Sequence, residues 1–274
     1  MNQVTAFYTG PGQLLAAIGS ALEAAGVDRK TLRPADLAAV DEFHIRGRRA
    51  TLEIIDALAL TADSHVLDLG SGLGGPARTL AEVTGCTVTG VDLTPEFCQV
   101  ATAFSEWTGL SGRTRFQVGD ATATGLPGSS VDAAMTVHVA MNIPDKHALY
   151  TEAFRVLRPG GRFVVYDVLQ GEGGEVHYPV PWADDSSTSF PATLEEMRRL
   201  LPSAGFKIVS EVDSSDQSLA WFQQMRARIQ REGPPPVTFA TFLGESFPQM
   251  TANQVANLAE GRIRTVMFSC SKPS

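Results

Sequence analysis

The sequence predicts an α/β fold, a mostly parallel sheet covered by helices on both faces, and three observations predict it. Strand-like and helix-like segments alternate from about Asp63 to Val212. A glycine-rich turn, Leu67-Asp68-Leu69-Gly70-Ser71-Gly72-Leu73-Gly74-Gly75, follows the first strand segment and opens the next helix. Twenty residues beyond Gly72 an acid, Asp92, ends the second apolar run, Val88-Thr89-Gly90-Val91. That spacing puts the acid at the tip of a neighbouring parallel strand, within reach of a ribose.

The elements follow in order. Residues 1–60 read as helical, with one apolar stripe at Leu14, Leu15, Ile18 and Leu22 and another at Leu52, Ile55, Leu58 and Ala59. Strands are expected over 65–69, 87–91, 114–118, 131–137, 162–168 and 207–212. Helices are expected over 76–84, 95–108, 145–157 and 194–204. Pro76 opens the first of these, Thr94 with Pro95 the second, and Thr193 with Glu196 forms a capping box for the last. Gly109 and Gly205 stop two of them.

Two stretches break the alternation. Residues 170–192 are rich in Gly, Pro, Asp and Ser and follow directly on a strand tip. Residues 215–262 show helical periodicity at Leu219, Phe222, Met225 and Ile229, then Pro234-Pro235-Pro236, then a second helix near 252–261. The last strand segment, 264–269, has no crossover helix of its own beside it, so an inserted cap and an antiparallel final strand are expected. The resulting division is an N-terminal helical lid over 1–60, an α/β core over 61–214, a helical cap over 215–262 and a final core strand with its tail over 263–274.

A chain of 274 residues with 43 % hydrophobic content can bury a full core. No stretch reaches the ~18 uninterrupted apolar residues that a membrane helix needs, and the start lacks the regions of a signal peptide. The expectation is therefore a cytoplasmic protein without membrane partners. Cys86, Cys98 and Cys270 have no metal spacing and are expected reduced and packed; no metal site is read. The net charge of -8 argues against nucleic-acid binding, which needs clustered Lys and Arg. Arg48-Arg49 and Arg198-Arg199 fall in helical segments and read as solvated faces.

The chemistry concentrates at strand ends. Glycines at a helix N-terminus let backbone approach a ligand closely, and Asp68 can hold the turn or accept from an ammonium. The same spacing serves a dinucleotide dehydrogenase or a tight turn with no ligand. Asp92 can accept from both hydroxyls of a ribose, and Asp120, in Gly119-Asp120-Ala121, stands where an adenine amino group would need an acceptor. Either acid could instead cap a turn. Leu157-Arg158-Pro159-Gly160-Gly161 reads as a structural turn into the fifth strand.

Taken together, residues 66–75, Gly90-Val91-Asp92, Gly119-Asp120-Ala121 and Leu157-Arg158-Pro159-Gly160-Gly161 resemble the ordered motifs of class I S-adenosylmethionine-dependent methyltransferases. The resemblance covers roughly 60–212 and the final strand. It is nearest to small-molecule enzymes of the ubiquinone-biosynthesis type and to glycine, sarcosine, sterol and tocopherol methylating relatives, which share Gly74-Gly75-Pro76-Ala77-Arg78. It implies a Rossmann-like seven-stranded sheet, six strands parallel and the last antiparallel. It implies S-adenosyl-L-methionine as cofactor and S-adenosyl-L-homocysteine as product. The methionine moiety would lie on Asp68, Gly70, Ser71, Gly72 and Gly74, the ribose on Asp92, and the adenine at Asp120 and Ala121; Leu93 and His138 complete the cofactor contacts.

Methyl transfer from a sulfonium is an in-line displacement, so alignment and exclusion of water matter most, and a base is needed only where the acceptor carries a proton. The fourth strand runs out into His138-Val139-Ala140-Met141-Asn142, the position that faces the methyl group in similar enzymes. His138 could take a proton, bond the acceptor or contact the cofactor, and Asn142 could orient either partner. His44 is a third catalytic candidate. By analogy the N-terminal segment closes over the cofactor, making Tyr8, Phe43 and His44 lid residues. Tyr178 and Trp182 follow the fifth strand and are candidates to line an acceptor pocket or to pack. A small-molecule acceptor is expected, methylated at oxygen, nitrogen or carbon; an NAD(P)-dependent oxidoreductase and a noncatalytic S-adenosylmethionine-binding protein are the alternatives. The sequence leaves the oligomeric state open.

Overall fold

The structure, a computed structural model, describes residues 13–274. Three N-terminal helices, α1 (Leu14–Ala24), α2 (Pro34–Asp41) and α3 (Arg48–Leu58), lead into the core. The core runs β1 (His65–Leu69), α4 (Gly75–Thr84), β2 (Thr87–Asp92), α5 (Pro95–Trp107), β3 (Thr114–Val118), β4 (Val131–Val137), α6 (Lys146–Val156), β5 (Leu157–Gln170), α7 (Leu194–Ser203) and β6 (Lys207–Asp213). The cap holds α8 (Ser215–Glu232), α9 (Ala240–Leu243) and α10 (Phe247–Ala259), and β7 (Ile263–Ser271) closes the sheet.

The seven strands lie in the order β3-β2-β1-β4-β5-β7-β6. Neighbours from β3 through β5 pair in parallel, and β7 runs antiparallel to both β5 and β6. Six strands therefore share one direction and the last is reversed, as expected of a chain that returns from an insertion without a crossover helix. One face of the sheet packs Val66, Val88, Met135 and Tyr166 against Ile54, Leu58, Ala77 and Leu80 of α3 and α4. The other packs Leu67, Ala134, Val165 and Phe268 against Leu149, Tyr150, Met197 and Leu201 of α6 and α7. Two covered faces explain why these strands read as continuous apolar runs.

Some boundaries differ from the sequence reading. β5 begins at Leu157, because the Arg158–Gly161 turn is an excursion within the strand: Val131 pairs Leu157 and Ala133 pairs Arg162, while Gly160 and Gly161 bond to Lys272 beside β7. In α3 the buried stripe is Ala50, Thr51, Ile54, Ile55 and Leu58; Leu52 is 41 % exposed and Ala59 is the left-handed cap beyond the helix. The capping box of Thr193 and Glu196 forms with both reciprocal bonds. All three cysteines are buried and unpaired.

The Pro-rich cap does not stand apart from the N-terminal helices. Val237 is buried in one apolar cluster with Leu14, Ile18 and Leu22 of α1, Leu37 of α2, Leu73 of the glycine turn, and Phe97 and Phe104 of α5. The N-terminal helices and the segment before β7 thus meet above the carboxyl ends of the strands.

Candidate functional site

A cavity of about 350 Å³ opens at the carboxyl ends of β1, β2, β3 and β4, where the strand order reverses and open α/β sheets bind their ligands. The glycine turn forms its floor. Gly70 and Ser71 donate backbone N–H to the Val91 carbonyl at 2.8 and 3.1 Å, which ties the turn to β2. Gly72 has φ +51°, and a Cβ added there would meet no atom within 4 Å. Its backbone therefore faces open cavity in a conformation that disfavours any side chain.

Beneath the turn lies an ion pair that sequence reasoning missed. Arg78 Nη2 donates to Asp41 Oδ2 at 2.7 Å and to the Leu73 carbonyl at 2.6 Å, while Nη1 donates to the Ala101 carbonyl at 3.0 Å. Both side chains are fully buried. The guanidinium fixes α2, the turn and α5 to one another, so a charge hidden from water sets the shape of the floor.

The acids at the strand tips converge on this cavity. Asp92 accepts from Gly72 N at 2.8 Å on Oδ2 and from Thr94 N at 2.9 Å on Oδ1, leaving a lone pair on each oxygen for a ligand diol. Burial raises its pKa, against the pull of the Thr94 and Gly72 bonds. Asp120 accepts on Oδ1 from the backbone and hydroxyl of Thr122, at 2.8 and 2.7 Å. Asp68 is 1 % exposed and its Oδ2 has no partner among the described residues. Burial pushes its pKa up to about 8, helped by the charges of Asp92 and Glu42. The Ser71 hydroxyl and His138 Nε2 are likewise buried without a partner.

Asp41, Asp68, Asp92, Asp120 and Asp145 all line the cavity, and no Lys or Arg does among the described residues. A buried acceptor with nothing to accept from fits a site that is completed by a hydrogen-bond donor on a ligand. Among the described residues no group of three His, Cys, Asp or Glu is arranged to hold a metal ion.

Of the predicted residues, Asp68, Gly70, Ser71, Gly72, Asp92, Leu93, Asp120, Ala121, Phe43, His44, His138 and Asn142 line this cavity. Gly74 stands behind it as the left-handed N-cap of α4. His138 has φ +53° and donates its N–H to the Tyr166 carbonyl at 2.8 Å, which turns the chain sharply as it leaves β4. Its ring lies 5.9 Å from that of His44 and 5.0 Å from that of Tyr166. Asn142 donates through Nδ2 to the Trp182 and Thr188 carbonyls at 2.8 and 2.9 Å, pinning the loop after β4 to the 170–192 segment. Trp182 is 2 % exposed, donates to Ser189 Oγ and packs with Ile45, Met141 and Phe222, away from the cavity lining. Tyr178 packs beside the same cluster. Tyr8 lies outside the described residues.

The roof is aromatic. Phe43 meets Phe239 and Phe242 of the cap at centroid distances of 4.8 and 5.1 Å, and Phe97 meets Phe242 at 5.7 Å. Phe97, Thr94, Thr122, Ile143 and Pro144 also line the cavity, and none of them stood out in the sequence as a site residue.

The sequence pattern of a methyltransferase domain matches residues 67–165. The sterol 24-C-methyltransferase erg-4 of Neurospora crassa is 30 % identical over 173 residues, covering 60 % of this chain and 46 % of that protein. The methyltransferase GfsG of Streptomyces halstedii is 33 % identical over 134 residues, covering 49 % and 48 %. The chain thus spans about half the length of the curated relatives it matches. Among solved structures, phosphoethanolamine N-methyltransferase 2 of Haemonchus contortus with S-adenosyl-L-methionine superposes with a TM-score of 0.72 at 21 % identity, over 85 % of this chain and 54 % of that one. The [4+2]-cyclase SpnF superposes at 0.64 and 21 %, over 96 % and 94 %, so its fold matches nearly end to end. Residues 67–165 thus match a methyltransferase domain, and the chain shares its fold with solved methyltransferases that bind S-adenosyl-L-methionine.

Proposed function

We propose that the protein transfers a methyl group from S-adenosyl-L-methionine to an oxygen, nitrogen or carbon atom of a small-molecule metabolite. One observation carries the reading: the buried carboxyl of Asp68, its Oδ2 unpartnered, sits against the glycine turn in a cavity lined by acids and, among the described residues, by no Lys or Arg. A ligand with an ammonium and a sulfonium satisfies that field, whereas the diphosphate of a dinucleotide would face Asp68 and Asp92 directly.

In this reading Asp68 accepts from the ammonium of the methionine moiety, with Ser71 and the Gly70–Gly72 backbone beside its carboxylate. Asp92 holds the ribose hydroxyls, with Leu93 next to it. Asp120 and Ala121 border the adenine. The bound cofactor supplies a methyl group activated by positive sulfur. The chain itself orients the acceptor, keeps water out and, where the acceptor carries a proton, receives it. His138 and His44, facing each other across the end of β4, are the groups placed to receive it, and burial keeps both neutral at physiological pH. Phe43, with the cap aromatics, closes the chamber, and the N-terminal lid and the cap over 215–262 supply acceptor walls to the 61–214 core and its last strand, 263–274. Tyr178 and Trp182 pack behind the site rather than in it, and Asn142 fixes the loop that carries His138.

Among the described residues no helix is long and apolar enough to cross a membrane. The acidic balance supports a small-molecule acceptor over a nucleic acid, and in this reading the acceptor is met in the cytoplasm without a membrane partner. Calorimetric titration of the chain with S-adenosyl-L-homocysteine, NAD and NADP, followed by labelled-methyl transfer to a metabolite extract, tests the reading. Binding of S-adenosyl-L-homocysteine alone and a labelled product are expected. Binding of a dinucleotide would replace this reading with an oxidoreductase, and cofactor binding without any labelled product would leave a noncatalytic protein.

A further inference from the structure

Building on the methyltransferase reading, we propose that His44 is the general base, taking the acceptor's proton on Nδ1, with Thr51 and Glu42 as the positioning residues that hold its ring.

The turn that presents His44 is strained in a way that aims it. Arg46 and Gly47 adopt φ +71° and +45° in succession, and this swings the Gly47 carbonyl back to 3.0 Å from His44 Nε2. A carbonyl only accepts, so a neutral His44 carries its proton on Nε2 and leaves the lone pair on Nδ1. Thr51 reinforces that choice. Its hydroxyl donates to Glu42 Oε2 at 2.6 Å, so its free lone pair faces His44 Nε2 at 3.3 Å. The bonds run in one direction, from imidazole N–H to hydroxyl oxygen and from hydroxyl hydrogen to carboxylate. Glu42 is itself held, since Thr79 donates to Oε1 at 2.7 Å, and its Oε2 lies 3.7 Å from Nε2.

A base oriented by a second group and backed by a buried acid is the arrangement that activates nucleophiles and acceptors generally. His138 lacks it. Nothing among the described residues bonds its buried Nε2, so no partner sets its tautomer. The two rings lie on the same cavity wall, but only one has a fixed donor side and a defined acceptor side.

The charged and titratable groups around His44 are Glu42 and Arg46 on its own segment and His138 and Tyr166 on the sheet. Burial lowers its pKa to about 4, the Gly47 bond opposes this and Arg46 adds to it, so the ring is neutral near physiological pH with its Nδ1 lone pair unprotonated. Burial raises the pKa of Glu42. A proton arriving at Nδ1 creates a positive charge that the Glu42 carboxylate, 3.7 Å from Nε2, opposes. In the transfer, the acceptor's lone pair forms the bond to the methyl carbon and the electrons of the methyl–sulfur bond return to sulfur. The acceptor's proton passes to Nδ1. The imidazolium keeps its Nε2–H on Gly47 and Thr51 opposite Glu42, and releases the extra proton to solvent as product leaves.

Two measurements on the full chain test this without an identified acceptor. Nitrogen-15 NMR of histidine-labelled protein, with and without S-adenosyl-L-homocysteine, should place the His44 proton on Nε2 near neutral pH. Carbethoxylation by diethylpyrocarbonate, mapped by mass spectrometry, should modify His44 in the empty protein and be blocked by S-adenosyl-L-homocysteine. Thr51→Val should slow that modification several-fold, Thr51→Ser should restore it, and Glu42→Gln should behave like Thr51→Val; if Glu42→Gln does not fold, the two Thr51 variants carry the comparison. A proton on Nδ1, or a Thr51→Val protein with an unchanged thermal melt and an unchanged modification rate, would overturn the assignment. Calorimetry on the same samples separates the two levels: S-adenosyl-L-homocysteine that binds beside an Nδ1-protonated His44 removes only the base, whereas its failure to bind removes the methyltransferase reading and the base with it.

Discussion

Asp68 should make cofactor binding depend on pH in a direction opposite to that of an ordinary carboxylate. Its pKa is pushed up to about 8 by burial, then by Asp92 and Glu42, so near neutral pH the empty site holds it mostly protonated. An ammonium selects the ionised form. Affinity for S-adenosyl-L-homocysteine should therefore rise by about fiftyfold between pH 6 and pH 8, with a proton released to buffer on binding, and level off above pH 8, where the ligand's own ammonium begins to titrate. The same shift has a stability side. Between its ordinary value of 3.8 and about 8 the native protein binds a proton that the unfolded chain has lost, so this group's contribution falls as pH rises through that window. At pH 7 the cost amounts to roughly 4 kcal/mol at most. Asp68→Asn should remove both effects: a higher melting temperature for the empty protein, S-adenosyl-L-homocysteine affinity at pH 8 reduced by about tenfold or more, and no proton release. Calorimetry in buffers of different ionisation enthalpy reads all but the melt. A flat affinity from pH 6 to pH 8, or an Asp68→Asn protein that binds as tightly as the parent, would refute the role assigned to this carboxylate.

Three other perturbations follow from the geometry. Asp92→Ala removes an acceptor pair worth ~1.5–3 kcal/mol per charge-assisted bond and frees Gly72 and Thr94, so S-adenosyl-L-homocysteine should bind at least tenfold more weakly by calorimetry. Arg78→Met strands a buried Asp41 and releases the Leu73 and Ala101 carbonyls; urea denaturation should show a loss of about 3–5 kcal/mol, and an unchanged midpoint would count against the floor described here. Phe242→Ala opens the roof formed with Phe43 and Phe97 and should speed cofactor dissociation in stopped-flow while moving the melting temperature little.

The sheet was legible because each parallel strand, covered on both faces, is a short apolar run bounded by a glycine or an acid: Leu67 to Gly70, Val88 to Asp92 and Phe116 to Asp120 all follow that rule. Strand β5 was shortened because Arg158, Pro159, Gly160 and Gly161 carry none of the side chains that mark a strand, yet Lys272 beside β7 supplies bonding partners for the two glycines. Leu52 entered the wrong stripe because helical periodicity fixes a spacing and not which of two adjacent faces is covered. Asp41, Glu42 and Arg78 carried no sign of burial in the sequence, since burial of an ion pair is decided by what packs over it from α2, α4 and α5. The roof was illegible for the same reason: Phe43 and Phe242 lie 199 positions apart in the chain, and only the fold makes them neighbours.

A crystal structure of the complex with S-adenosyl-L-homocysteine tests the central claim most directly. The ligand should lie in the cavity above the glycine turn with its ammonium on Asp68 Oδ2, its ribose hydroxyls on Asp92 and its sulfur turned toward His138 and His44. A ligand bound elsewhere, or one in this cavity that leaves the Asp68 carboxylate without a donor, would contradict it.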